Sequence, residues 1–165
     1  LRKQVAFLNE HPATVLVGSD AQGIDPDGNV IWETSLPVSS IQIKWRLLFY
    51  NCITHSSAMF RSREVRELGG YTPSVTFAQD YDLWLKIAAG YPVGAVTEPL
   101  VCYRIPAHEA ISFSHAEGQQ RFVREVQQAV LCGLDPAFGD LLPAIRELGL
   151  FLFFSAAPPS DTAGA

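Results

Sequence analysis

Apolar positions recur with helical and with extended spacing along this chain. Leu1, Val5 and Leu8, with Phe7 beside them, fall at i, i+4, i+7 and predict an amphipathic helix that His11-Pro12 ends. Residues 14–19, rich in β-branched side chains, suit a buried strand. Residues 24–31 read as a strand end, a turn and a returning strand, with Gly28 free to take positive φ. Ser39 or Ser40 can cap a helix running to about Phe49. Residues 51–61 look like a strand leading into a short helix over 62–68, which Gly69-Gly70 stops. A further helix begins at Gln79 or Asp80 with Leu83, Trp84 and Ile87 as its buried face; Gly90 sits just past its end and Pro92 stops it. Two more β segments follow at 92–97 and 100–104. After Ser112 the spacing turns helical, with Phe122, Val126, Ala129 and Val130 on one face and a last helix near 141–154. Strands alternating with helices place the chain in the α/β class.

Composition narrows the function. The 165 residues are 48% hydrophobic and 18% charged, enough apolar content for one domain with a real core, and residues 157–165 form a low-complexity tail expected to be disordered. The net charge of -5 and the absence of any Lys/Arg run longer than a pair argue against a nucleic-acid partner. Cys52, Cys102 and Cys132 are odd in number, far apart and form no CxxC, so a reducing, cytoplasmic setting is expected without a disulfide or zinc framework. The longest apolar tract near the end, 149–157, is too short to span a bilayer. The chain opens in mid-helix without an initiator Met, which reads as a piece of something longer.

Asp80 and Asp82 are the candidates with most chemistry to offer. Acids in a first helical turn are favoured by capping and by the helix dipole, so spacing alone favours a structural role for both. An acid at a helix start that opens onto a cleft can instead take a proton from a substrate hydroxyl. Asp25-Pro26-Asp27-Gly28-Asn29 imitates the start of a calcium loop, but Leu36 stands where a bidentate Glu is needed, so a turn is expected. His55 beside Ser56 and Ser57 lacks a nucleophile elbow. Arg61 and Arg63 flank a strand–helix junction, where they are surface residues or phosphate ligands. Trp32, Trp45 and Trp84 read as core or interface anchors.

In order, His55-Ser56-Ser57-Ala58-Met59-Phe60-Arg61, Glu67-Leu68-Gly69-Gly70-Tyr71, Gln79-Asp80-Tyr81-Asp82-Leu83-Trp84-Leu85-Lys86 and Glu98-Pro99-Leu100-Val101-Cys102-Tyr103-Arg104 resemble the acceptor-side, C-terminal half of a family 2 glycosyltransferase of the GT-A fold. The resemblance covers roughly residues 1–115. It implies a partial Rossmann-like nucleotide-diphospho-sugar transferase sheet over 1–114, a helical extension over 115–156 and the tail at 157–165. It also implies an inverting enzyme of polysaccharide or cell-surface glycan synthesis that moves a sugar from a nucleotide-sugar donor to a glycan or lipid-linked acceptor. Asp80 is then the catalytic base, with His55, Arg61, Gly69, Gly70, Gln79, Asp82 and Arg104 on the substrate side. Gln79 stands where the family usually has Glu. A divalent metal, Mg or Mn, is expected in the full-length enzyme, and His108 after Tyr103-Arg104 is its candidate ligand here. The family's donor-binding half should precede Leu1, so this chain is expected to be inactive alone, and its exposed apolar surface is expected to favour self-association.

A rival reading is a non-catalytic interaction module that keeps the fold. Phe151, Phe153 and Phe154 on the last helix would then dock on a partner or a membrane surface. A metal-dependent hydrolase using Asp80, Asp82 and His108 is a further alternative, and it requires the three side chains within reach of one another.

Overall fold

The computed structural model describes residues 1–104, together with 123–125, 128 and 133. Within residues 1–104, four α-helices and a four-stranded mixed sheet follow one another as α1 (Arg2–Glu10), β1 (Leu16–Ile24), β2 (Val30–Glu33), α2 (Ser40–Leu47), β3 (Met59–Phe60), α3 (Ser62–Glu67), α4 (Gln79–Gly90) and β4 (Val93–Arg104). The fold is α/β, as the alternation of patterns predicts. The expected boundaries at 114/115 and 156/157, the helix at 141–154 and the tail lie outside the described residues.

β1 is the spine. It runs parallel to β4 from the Leu16–Val93 pair to the Ile24–Arg104 pair, antiparallel to β3 at its start, and antiparallel to β2 at its end. Leu16, Val17 and Ala21 are fully buried, and the apolar start of the strand matches that burial.

Three expectations are corrected. Segments 92–97 and 100–104 are one strand, because Pro99 sits at an irregularity where Ser19 pairs with Val96 and Asp20 with Pro99. Proline removes a ladder donor, and a bulge accommodates that without ending the strand. Of residues 51–61 only Met59–Phe60 form a strand, β3. Ser57 turns the chain through a 3-10 helix at 55–57, its N–H and its hydroxyl both bonding Thr54 O (2.9 and 2.8 Å). Such side-chain-to-backbone bonds compete with a ladder. On α1 the inward residues are Gln4 and Leu8, while Leu1 is 86% and Val5 48% exposed. Gln4 Nε2 donates to Ser57 O at 2.7 Å, so a polar residue fills the place the spacing gave to Val5.

The core gathers Leu16 and Val93 from the sheet, Ile43 and Leu47 from α2, Ile53, and Tyr81, Leu83, Trp84 and Ile87 from α4. Burying each large side chain contributes about 1.5–3 kcal/mol. Tyr81 also donates its hydroxyl to Leu47 O at 2.6 Å, tying α4 to the end of α2. Val123, in the later helical stretch, packs against the same core.

Candidate active site

α4 starts without a side-chain cap. Its N-cap is Ala78 at φ 57, ψ 32, a left-handed conformation that costs a non-glycine residue about 1–3 kcal/mol. The turn thrusts Gln79 into solvent and sets Asp80 and Asp82 in the first helical turn, Asp80 half-buried. The strained residue therefore lies two positions before the candidate base.

The two acids have different surroundings. Asp82 Oδ2 accepts the Thr72 hydroxyl at 2.6 Å and pairs with Lys86 Nζ at 2.9 Å. Lys86 also bonds the Thr72 hydroxyl and, at 3.4 Å, Gly70 O. Gly69 and Gly70 stand at φ 85 and 66, open to the left-handed turn only because they lack a Cβ. Asp82 and Lys86 thus clamp the glycine turn and Tyr71-Thr72 onto α4.

Asp80 is held by uncharged donors: Tyr81 N–H to Oδ1 and Asn51 Nδ2–H to Oδ2, each 2.9 Å. Among the described residues it forms no ion pair; the pairs found are Lys3–Glu98, Arg63–Glu67 and Lys86–Asp82. The clamped turn brings Tyr71 into the carboxylate's field. Burial first and the Asp80 charge second push the Tyr71 phenol above its ordinary pKa. Its hydroxyl lies 3.1 Å from His55 Nε2, and the His55 ring meets the edge of buried Trp84 at 6.0 Å between centroids.

Of the residues singled out from sequence, His55, Gly69, Gly70, Gln79, Asp80 and Asp82 therefore surround one corner of α4. Arg61 and Arg104 do not join them through any bond among the described residues. Arg61 donates from Nε to Thr14 O at 2.8 Å and from Nη2 to Leu8 O at 2.5 Å, closing the end of α1. Arg104 donates to Asp25 O (2.8 Å) and Pro26 O (2.6 Å), fastening the β1–β2 turn to the end of β4. In that turn Asp25 accepts the backbone and side-chain N–H groups of Asn29, which lower its pKa, and a hairpin turn is what it forms.

Sequence reasoning missed Asn51, Tyr71, Thr72 and the role of Lys86. Lys86 was readable as the i+4 partner of Asp82; Asn51, twenty-nine positions from Asp80, carried no signal. Among the described residues no three His, Cys, Asp or Glu side chains gather to hold a metal ion, and His108 lies outside them. Nor is any helix among them long and apolar enough to cross a membrane.

No model of a known protein family matches the chain, and no curated protein matches it.

Proposed function

We propose that this chain is the acceptor side of an inverting, GT-A-type glycosyltransferase in which Asp80 is the general base. The observation that carries the reading is the contrast between its two acids. Asp82 is ion-paired with Lys86 and engaged by Thr72, whereas Asp80 is fixed by two neutral donors and has no cationic partner among the described residues. A base must be ionised, oriented and not already committed to a cation.

In the proposed reaction Asp80 takes the proton of an acceptor hydroxyl. That oxygen forms the new bond to the anomeric carbon of a nucleotide sugar from the face opposite the leaving group. The bond from that carbon to the diphosphate breaks, and the nucleoside diphosphate departs with the electron pair. Tyr71, whose phenol feels the Asp80 charge, and His55, bonded to that phenol, stand on the same side as Asp80 in the proposed site. The donor, and any divalent metal, would be bound by residues of the whole protein beyond this acceptor side, and no step here runs through the metal. A glycan or lipid-linked acceptor and a cytoplasmic setting complete the proposal.

The test is Asp80→Asn in the whole protein, with donor binding and transfer measured separately. Binding is expected to persist and transfer to fall by about 10²–10⁴; near-normal turnover would refute the assignment. One observation favours the interaction module instead: Val38, Ile41 and Trp45 on and before α2 are 78%, 72% and 63% exposed. Failure of the whole protein to bind any nucleotide sugar would favour that rival.

A further inference from the structure

We infer that Asn51 is a positioning residue for Asp80: its side-chain amide holds the carboxylate in one rotamer without neutralising it. The purpose rests on the proposed role of Asp80 as base, but the geometry stands by itself. Nδ2 lies 2.9 Å from Oδ2 and joins the loop after α2 to the first turn of α4. Tyr81 N–H occupies Oδ1 at the same distance. With one neutral donor on each oxygen, rotation about χ1 or χ2 breaks at least one hydrogen bond, while lone pairs on both oxygens stay available to a hydroxyl.

The other end of the same amide supports the inference. Asn51 Oδ1 is buried and has no hydrogen-bond partner among the described residues. An unpaired buried carbonyl oxygen is destabilising, and such groups in folded proteins call for a reason. Turning the amide over would set Oδ1 against the Asp80 oxygen, acceptor against anion. The orientation therefore satisfies Asp80 and leaves Asn51 itself incompletely bonded. Were the residue present only for packing, an apolar side chain of similar size would fill the place without an orphaned oxygen. Two consequences follow. Truncation of Asn51 releases Asp80 while disturbing the fold little, and a carboxylate at position 51 expels Asp80 from its rotamer by like-charge repulsion.

The experiment uses the full chain, labelled with 13C and 15N, and reads the three-bond couplings from Asp80 Cγ to its own N and C′, which report χ1. In the wild type they should be those of a single staggered rotamer. In Asn51→Ala they should move to averaged values, and in Asn51→Asp to averaged values or to another rotamer, with the α4 amide shifts and the melting temperature of Asn51→Ala close to wild type. Unchanged couplings in Asn51→Ala overturn the inference, and so does a large loss of melting temperature with couplings unchanged, which marks a purely structural residue. Should neither variant fold, exchange of the Asn51 side-chain amide protons is compared between wild type and Asp80→Ala. A rise of tenfold or more on losing the carboxylate supports the hydrogen bond, and equal rates overturn it. The couplings report on Asn51 and the transfer assay on Asp80, so either conclusion can fail without the other.

Discussion

If Asp82 clamps the glycine turn, its energetic coupling to Thr72 should be measurable without any substrate. The perturbation is a double-mutant cycle of Asp82→Ala, Thr72→Val and both together. The Thr72 hydroxyl reaches Asp82 Oδ2 at 2.6 Å, and Lys86 approaches the same oxygen at 2.9 Å, with the acid's side chain 17% and the lysine's 33% exposed. A hydrogen bond to a charged group contributes about 1.5–3 kcal/mol when well buried. The i,i+4 ion pair adds only about 0.3–0.5 kcal/mol because water reaches it. Asp82→Ala should therefore cost about 2 kcal/mol, or roughly 4–8 °C in melting temperature for a chain of this size. Thr72→Val should cost about 1–2 kcal/mol, since Lys86 remains on the acid. The double variant should fall short of the sum by about 1 kcal/mol. Urea unfolding followed by fluorescence of buried Trp84 gives these values. Additivity within about 0.3–0.5 kcal/mol would mean that the two side chains do not cooperate, and the clamp would be refuted.

Further tests address other packing and titration features. A Cβ at Gly94 would come within 2.4 Å of the Phe7 ring, so Gly94→Ala should displace the ring and cost about 1–3 kcal/mol, and should be nearly neutral in a Phe7→Ala background. Equal costs in both backgrounds would exclude the clash. The Asp80 charge helps to raise the Tyr71 phenol, so Asp80→Asn should lower its pKa toward the ordinary value and leave the larger contribution from burial in place; site-resolved 13C titration of Tyr71 checks the sign, and no downward movement contradicts it. Burial pushes the Cys52 thiol up to about 11, whereas Cys102 is exposed. A thiol reagent at pH 8 should modify Cys102 and leave Cys52 intact until the chain unfolds, as peptide mapping would show.

What the sequence disclosed and what it hid follow from the range of the forces involved. Helices α2, α3 and α4 were readable to within a residue or two, because i, i+3 and i+4 neighbours and glycine stops are local. β1 was cut short at Ser19 and β4 was split at Pro99, because polar Asp20 and a proline look like breaks until the partner strand supplies the ladder and its bulge. On α1 the apolar spacing placed Leu8 correctly but not Gln4, which is buried because it finds a carbonyl at Ser57, and no helical spacing encodes a partner that distant. Trp45, taken with the other tryptophans as an anchor, turns outward, so among the described residues Trp84 is the indole of the core.

The same division of range separates the two acids. Both were expected as first-turn residues favoured by the helix dipole, and both do stand in the first turn of α4, but neither caps it: that place falls to Ala78 in a left-handed turn. What distinguishes them comes from elsewhere in the chain. Lys86 and Thr72 reach Asp82, while Asn51 reaches Asp80. One acid is thereby tied to a cation and to the glycine turn; the other is oriented by neutral donors. A dipole argument treats the pair alike, so the difference in chemistry between them is a property of the fold. It lies in which acid the sheet, the turn and the loop after α2 leave without a cation, and that acid is Asp80.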